Sequence, residues 1–523
     1  MNGAIAGLQT GYARFGLVYS APGIAVHVMK VIKKKTLTMK YLYIILLSTL
    51  TTTALARSGS DTLRLTLQQV VELAKANSIA AKQAATVRET KYWEYRTYKS
   101  AYQPQLALSG ILPGYSKTFT QVQQPDGTIL FQPVHNDNSS LELDFSQTIT
   151  ATGGTIYGTT QLQRFDDFDR KNVLYNGIPY GIGYKQPLFQ FNELKWNKKI
   201  EPLKYNESKQ AYIEAQEKIA IDVEGYFFDL LLAQVNLKIA ETNLTNTEKI
   251  LKVANLKYQL GKVSKNEILQ LQLEQINAQK AVGTARRDME IATLNLRSFT
   301  GQEGDDKIVL EAPKNISRMI VSSDKVLAEA YANRSDAIAF SRRLAEAARD
   351  VAKAKGQNGL TATLTANLGF SNTATNIPDV YKNPQNQQQL QVQLSIPILD
   401  WGRSKSRAKT ALANQQFTEY AVEQDKQTFK QQIVTQVSLF NVMKEQLVYT
   451  AKADSIAGEK YQIARERYVL GDLSITDLGI AFRENDQAQR DYVAALRDFW
   501  GAYYQLRYLS LYDFETNKKI TYN

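Results

Sequence analysis

The 523-residue chain has no cysteine and only two histidines, His27 and His135. Without cysteine there is no disulfide framework, no thiolate metal site, no cysteine nucleophile and no lipid-modified N-terminal cysteine. Two histidines exclude a histidine-based metal cluster, and a Ser-His-Asp triad would have to rest on one of them. Acidic residues are absent from residues 1–56, which hold Arg14, Lys30, Lys33, Lys34, Lys35 and Lys40. Those six supply half of the formal net charge of +12, so 12 − 6 = +6 remains for the rest of the chain. There the two signs are interspersed, which describes a solvated surface rather than a phosphate-binding stripe. Nothing after residue 56 approaches the roughly 20 consecutive apolar residues of a transmembrane helix.

The N-terminal segment reads as a signal peptide. Lys33 to Lys35 and Lys40 form a basic region, Tyr41 to Leu50 an uncharged apolar run, and Ala54-Leu55-Ala56 a small-x-small cleavage site. Residues 1–56 are therefore expected to be removed, with 1–28 an over-extended start if Met29 or Met39 initiates. The mature chain is expected to be exported, and a membrane crossing would have to be made as a β-barrel.

An internal similarity recurs at one offset. Pro187 in Lys185-Gln186-Pro187-Leu188-Phe189 answers Pro397 in Ser395-Ile396-Pro397-Ile398-Leu399. Gly261 in Tyr258-Gln259-Leu260-Gly261-Lys262-Val263-Ser264 answers Gly471 in Tyr468-Val469-Leu470-Gly471-Asp472-Leu473-Ser474, and Leu296 answers Leu506. Each pair lies 210 residues apart. Upstream the register slips, because Ala76-Asn77 answers Ala332-Asn333, so the first copy carries an insertion before its proline.

Between the anchors runs a heptad seam. From Ile219 through Val223, Tyr226, Leu230 and onward to Tyr258 the spacing alternates four and three, and only Thr247 is polar. The same positions 210 residues later, Phe429 to Tyr468, are mostly apolar or aromatic. Each seam predicts a helix of some 65 residues, roughly 100 Å long. Gly261 and Gly471 end these helices, and returning helices end near Leu296 and Leu506. A coiled-coil stalk would share this seam.

Other segments alternate with period two. Leu360, Ala362, Leu364, Ala366, Leu368 and Phe370 alternate with polar or small residues, as do Leu390, Val392 and Leu394, and in the first copy Leu141, Leu143 and Phe145. Strands of about ten residues, apolar on one face, fit a membrane wall around a wet lumen, and a half-buried soluble sheet has the same pattern. Thr152-Gly153-Gly154 reads as a tight turn flanked by a further strand pair, giving four strands in the first copy and two in the second. Gln123 to Gly127, Asn372 to Asn386, the region of His135 and the acidic run Arg164 to Arg170 read as exposed loops.

The ordered set of these features resembles the TolC family of outer-membrane efflux proteins. Leu65-Thr66-Leu67-Gln68-Gln69-Val70 is similar to that family's opening helix. Gln186-Pro187-Leu188-Phe189 and Ile396-Pro397-Ile398 with Asp400-Trp401-Gly402-Arg403 resemble its strand-to-helix junctions, and the two Tyr-x-x-Gly-x-x-Ser turns its periplasmic tips. The resemblance implies an α+β membrane protein: a trimeric β-barrel in the outer membrane, continuous with a long periplasmic α-helical barrel, built from two structural repeats per chain. It implies a first repeat at 57–300 (strands about 103–189, helical hairpin about 190–300), a linker at 301–324, a second repeat at 325–513 (strands about 359–399, hairpin about 402–510) and a tail at 514–523.

The function so implied is a non-enzymatic passive exit duct for efflux or type I secretion, without cofactor, metal or nucleic acid. Its partners would be outer-membrane lipid, two further copies of itself, a periplasmic adaptor (membrane fusion protein) and an inner-membrane pump of RND, ABC or MFS type. Docking on the adaptor would use Leu260, Gly261, Lys262, Val263 and Ser264, and Leu470, Gly471, Asp472, Leu473 and Ser474. Asp477 matches a ring of gate carboxylates, and Glu267 with Tyr468 a carboxylate–tyrosine link. Leu473 stands where an arginine would bridge and Ile480 where a second ring aspartate would stand, so apolar contacts are expected to hold the closed state. Asp477 and Glu267 also suit helix capping just after a turn. Two alternatives stay open: an exported coiled-coil scaffold or adhesin without a pore, and an exported hydrolase, for which no catalytic constellation is present.

Overall fold

Capping, strand alternation and two helical seams generate the architecture in chain order. The computed structural model describes residues 62–304, 306–313 and 321–522. The expected signal peptide lies outside them.

Strand β1 (Thr62–Thr66) leads directly into α1 (Leu67–Asn77). Thr66 and Gln69 close a capping box there, each side chain bonding the other's backbone N–H. Helix α2 (Ile79–Ser100), capped by Ser78, delivers the chain to β2 (Gln105–Ile111), β3 (Tyr115–Gln123), β4 (Ile129–Thr148), β5 (Thr155–Asp167) and β6 (Asn172–Leu188). A helical hairpin follows, α3 (Glu193–Gln259) and α4 (Lys265–Thr300). Strand β7 (Lys307–Glu311), α5 (Ser323–Asn333) and α6 (Ser335–Gly356) lead to β8 (Thr361–Ala374), the single turn α7 (Ile377–Val380) and β9 (Gln385–Ser395). A second hairpin, α8 (Arg403–Leu470) and α9 (Ile475–Ser510), ends in the short pair β10 (Tyr512–Asp513) and β11 (Lys518–Lys519).

The main sheet is antiparallel in the order β2-β4-β5-β6-β8-β9, with β3 also on β4. β2 pairs with Ser140–Ser146 and β3 with Ile129–Asp137 of β4, so the two form one interrupted column. The interruption is tied down where the Gly114 N–H donates to Asp137 Oδ1 at 2.7 Å. A Cβ at Gly114 would lie 2.1 Å from the Asn138 carbonyl oxygen, so glycine is required there. The expected difference of four strands against two is thus five strands in four columns against two. Cross-strand pairing also aligns the alternation. Leu106 pairs with Phe145, Ile182 with Leu368 and Ala366 with Leu390, which places apolar residues on one face. Asp144 pairs with Thr159 and Thr365 with Gln391, which places polar residues on the other.

Some expected loops are strands. His135 is a residue of β4 opposite Lys117, and Arg164 to Asp167 complete β5, with only Phe168 to Lys171 turning. The segment from Asn372 to Asn386 contains the end of β8, α7 and the start of β9. Residues 301–324 carry β7, which pairs in parallel with β1. The tail folds back, and the Tyr522 hydroxyl donates to Glu217.

Helices α3 and α8 span 67 and 68 residues, about 100 Å each at 1.5 Å per residue. The second seam from Phe429 to Tyr468 has no exposed position, and the first is exposed only at Tyr258. The main core lies midway along the helices, where Phe227, Phe228 and Leu230 of α3 meet Phe440 of α8 and Leu496 and Phe499 of α9, with α1, α5, β1 and β7 around them. No helix among the described residues is long and apolar enough to cross a membrane.

Candidate gate and docking tips

Both hairpin tips are built the same way. At the first, Leu260 ends α3, Gly261 turns with φ +70° and the Lys262 N–H donates to the Lys257 carbonyl at 2.9 Å. At the second, Gly471 turns with φ +94° and the Asp472 N–H donates to the Arg467 carbonyl, also at 2.9 Å. A Cβ at either glycine would meet open space, so the left-handed backbone alone demands the residue. Ser264 and Ser474 then cap the returning helices, accepting from the N–H groups of Glu267 (3.2 Å) and Asp477 (3.1 Å).

Leu260, Gly261, Lys262 and Ser264, with Leu470, Gly471, Asp472 and Ser474, are exposed, while Val263 and Leu473 are half-buried. Val263 packs on Ala254, Ile268 and Leu271, and Leu473 on Tyr461, Ala464, Leu478 and Ala481. Ile250 and Ile475 belong to both clusters and join one hairpin to the other. Apolar contact therefore ties the two tips together. Ile480 is exposed.

The three expected gate residues have distinct surroundings. Asp477 is exposed and its Oδ2 accepts from the Ser474 hydroxyl at 2.7 Å, so its carboxylate serves the cap. Glu267 occupies the equivalent capping position. Burial raises the Tyr468 phenol above the usual tyrosine range, and the charge of Glu267 adds to the effect. Among the described residues no hydrogen bond joins this pair; Lys257 Nζ instead sits 5.5 Å from the Tyr468 ring centroid.

From the tips inward the two hairpins enclose a groove of about 1220 Å³. Its polar lining is a group that sequence patterning passes over. Asn243 donates to Asp486 Oδ2 at 3.0 Å, and Asn246 donates to the Tyr461 hydroxyl at 2.8 Å. Burial pushes the Asp486 carboxyl up, with Asn243 and Arg490 opposing. The missed signal is the asparagine pair beside the α3 seam, since helix interiors seldom place such residues without a partner.

A second group missed in sequence centres on the fully buried Glu217. Glu217 Oε1 accepts from Lys75 Nζ at 2.7 Å, its Oε2 from Arg507 Nε at 2.9 Å, and Arg507 also donates to Asp513 Oδ2 at 2.8 Å. Burial alone would raise the Glu217 carboxyl, but Lys75 and Arg507 outweigh it and hold it below the usual range. This network fastens α1, α9 and the tail to α3. Among the described residues no group of three or more His, Asp or Glu side chains forms a metal site. His135 has Tyr115 (3.1 Å to its hydroxyl) and Asp169 (3.5 Å) as neighbours.

The family described as "Outer membrane efflux protein" matches residues 150–302 and 326–510. The first stretch begins in the β4–β5 turn, whereas the second takes in α5 and α6 ahead of its strands. The "Pyoverdine export outer membrane protein OpmQ" of Pseudomonas aeruginosa is 24% identical over 217 residues, 42% of this chain and 44% of that protein. The chain thus matches less than half the length of that relative. The "Outer membrane protein TolC" of Vibrio cholerae is 21% identical over 332 residues, 62% of this chain and 73% of its own. The outer-membrane channel OprN superposes with a TM-score of 0.61 at 17% identity, over 85% of this chain and 89% of that one. The CmeC outer membrane channel of Campylobacter jejuni gives 0.61 at 16%, over 90% and 92%. At these identities the likeness is one of fold.

Proposed function

This chain belongs to the outer membrane efflux protein family, and from that premise we propose that three copies form the passive exit duct of a tripartite efflux or secretion system. Its place is the outer membrane, with the helices extending into the periplasm. In this reading the sheet contributes to a closed β-barrel, the α3–α4 and α8–α9 hairpins to an α-helical barrel, and the tips around Gly261 and Gly471 dock a periplasmic adaptor that links the duct to an inner-membrane pump. Asp477, Glu267 and Tyr468 act at the constriction, together with the apolar joint at Ile250 and Ile475.

The observation that carries the reading is one chain combining a sheet apolar on one face with helical hairpins about 100 Å long. Such a sheet suits lipid on one side and water on the other. Helices of that length with exposed leucines at their tips reach far from the sheet and offer an apolar contact there. The chemistry is selection by passage rather than reaction, and the helices supply a wall rather than a catalytic site.

The test uses Leu260→Asp and Leu470→Asp, which place charge at the tips without touching the core. Both variants are expected to stay trimeric in detergent, by native mass spectrometry, and to lose capture by a periplasmic membrane fusion protein from the same cells. Undiminished capture would contradict docking through the tips. A monomeric wild type would contradict the assembly.

A further inference from the structure

The sheet has two open edges, and they fit each other. Every residue of β2 and of β9 is exposed, and among the described residues neither strand has a partner on its outer side within the chain. In the hydrocarbon layer no water is present to satisfy such backbone groups, so an open edge is not tolerated there. Adding strands to the sheet only moves the edge; closure removes it.

We infer that the segment preceding the family-matched stretch is part of the membrane wall, that β2 of one copy pairs with β9 of the next, and that three copies of six columns close an 18-stranded barrel rather than the 12-stranded one that two strands per repeat would give. The inference rests on the trimeric reading above and adds the strand number and the pairing edges.

Three observations support it. First, β4 pairs with β5 over thirteen consecutive positions, Asn136–Thr148 against Asp167–Thr155, so β4 continues the sheet and does not fold away from it. Second, the apolar face reaches both edges. Leu106 and Leu108 of β2 continue Phe145 and Leu143 of β4, and at the other end Leu390 and Val392 of β9 continue Ala366 and Leu364 of β8. Those edge side chains are among the most exposed apolar groups of the molecule, Leu108 at 70% and Leu390 at 75%. On the reverse face β2 presents Ala107 and Ser109, and β9 presents Gln391 and Gln393, matching a wet lumen.

Third, strand direction agrees. The five successive pairings from β2 to β9 are all antiparallel, so β9 runs opposite to β2. A β2–β9 junction between copies is then antiparallel like every other. An odd number of columns would force a parallel junction at each copy boundary; six columns per chain avoid it. Because barrel diameter grows about linearly with strand number, the lumen would be about half as wide again as a 12-stranded one, in the range where porins hold an aqueous channel. The membrane section would then not set the size limit for cargo; the helical tips would.

The absence of native cysteine makes the test clean. Ala107→Cys is combined in turn with Gln389→Cys, Gln391→Cys and Gln393→Cys, all facing the polar side. Asp144→Cys with Thr159→Cys, a pair opposed within one chain, controls for folding and access of the oxidant. In outer-membrane fractions one of the three combinations is expected to give bands of two and three linked copies on oxidation, while the control closes within a single chain. Cryo-electron microscopy of the extracted wild type is expected to show 18 strands in section. Three copies enclosing 12 strands would overturn the inference and leave the trimer standing, as would absence of intermolecular bands beside a control that closes. A copy number other than three would overturn the trimeric reading itself.

Discussion

Two glutamates seven residues apart on α3 meet opposite fates, and the difference is testable. Glu217 is buried but receives Lys75, Arg507 and Tyr522. Glu224 is 5% exposed, and its Oε1 has no partner. Burial pushes its carboxyl up to about 8 despite Arg497 nearby. A raised carboxyl binds a proton in the folded state that the unfolded chain has released, so stability falls as pH rises from the unfolded value towards about 8 and levels off above it. Glu224→Gln is expected to flatten that slope and raise the melting temperature at pH 8, measured by thermal unfolding across pH 5 to 8.5. Glu217 has the reverse sign. Its lowered carboxyl contributes stability above the unfolded value, and this is lost as pH falls through the folded one. Glu217→Gln leaves Lys75 without its counter-charge and Arg507 with Asp513 alone, and is expected to cost about 3 kcal/mol in chemical denaturation at pH 7. A loss below about 1 kcal/mol would mean that the network is not closed as described.

At the scale of elements, each tip depends on a left-handed glycine followed by a serine cap. Gly471→Ala forces a Cβ onto a φ of +94° and is expected to cost about 1–2 kcal/mol, with Ser474→Ala costing about 1 kcal/mol. Hydrogen exchange at the start of α9 checks both, because the loss should be confined to the tip. The hairpins are legible in the sequence because a seam of alternating fours and threes has one physical solution at that length, and a glycine followed by Ser-x-x-carboxylate marks where it turns. The strands are legible only where lipid-like alternation holds. His135 and Arg164 to Asp167 read as loop because they are charged or polar, yet β4 and β5 continue through them for 20 and 13 residues. A membrane wall needs only about ten residues of alternation per strand, and beyond it a strand carries polar residues on both faces. The buried Glu217 network is invisible in sequence for another reason: its members lie at residues 75, 217, 507 and 522, and only the packing of α1, α3, α9 and the tail brings them together.

At the scale of the whole molecule, the sheet and the helical hairpins impose different demands that assembly meets together. Among the described residues one copy leaves two sheet edges open, and its tips are joined by Ile250 and Ile475 with Lys257 against the Tyr468 ring. In the proposed trimer the edges would close and three Asp477 carboxylates would approach one another, giving the constriction its charge. The proposed duct would conduct from periplasm to exterior through a passage whose narrow point is at the tips. Single-channel recording of the detergent-extracted protein in a planar bilayer, beside Asp477→Ala and Ile475→Ala, tests it most directly. The expected result is a small, cation-selective conductance in the wild type, reduced selectivity in Asp477→Ala and a larger conductance in Ile475→Ala. A protein that stays soluble without detergent and opens no conductance would contradict it.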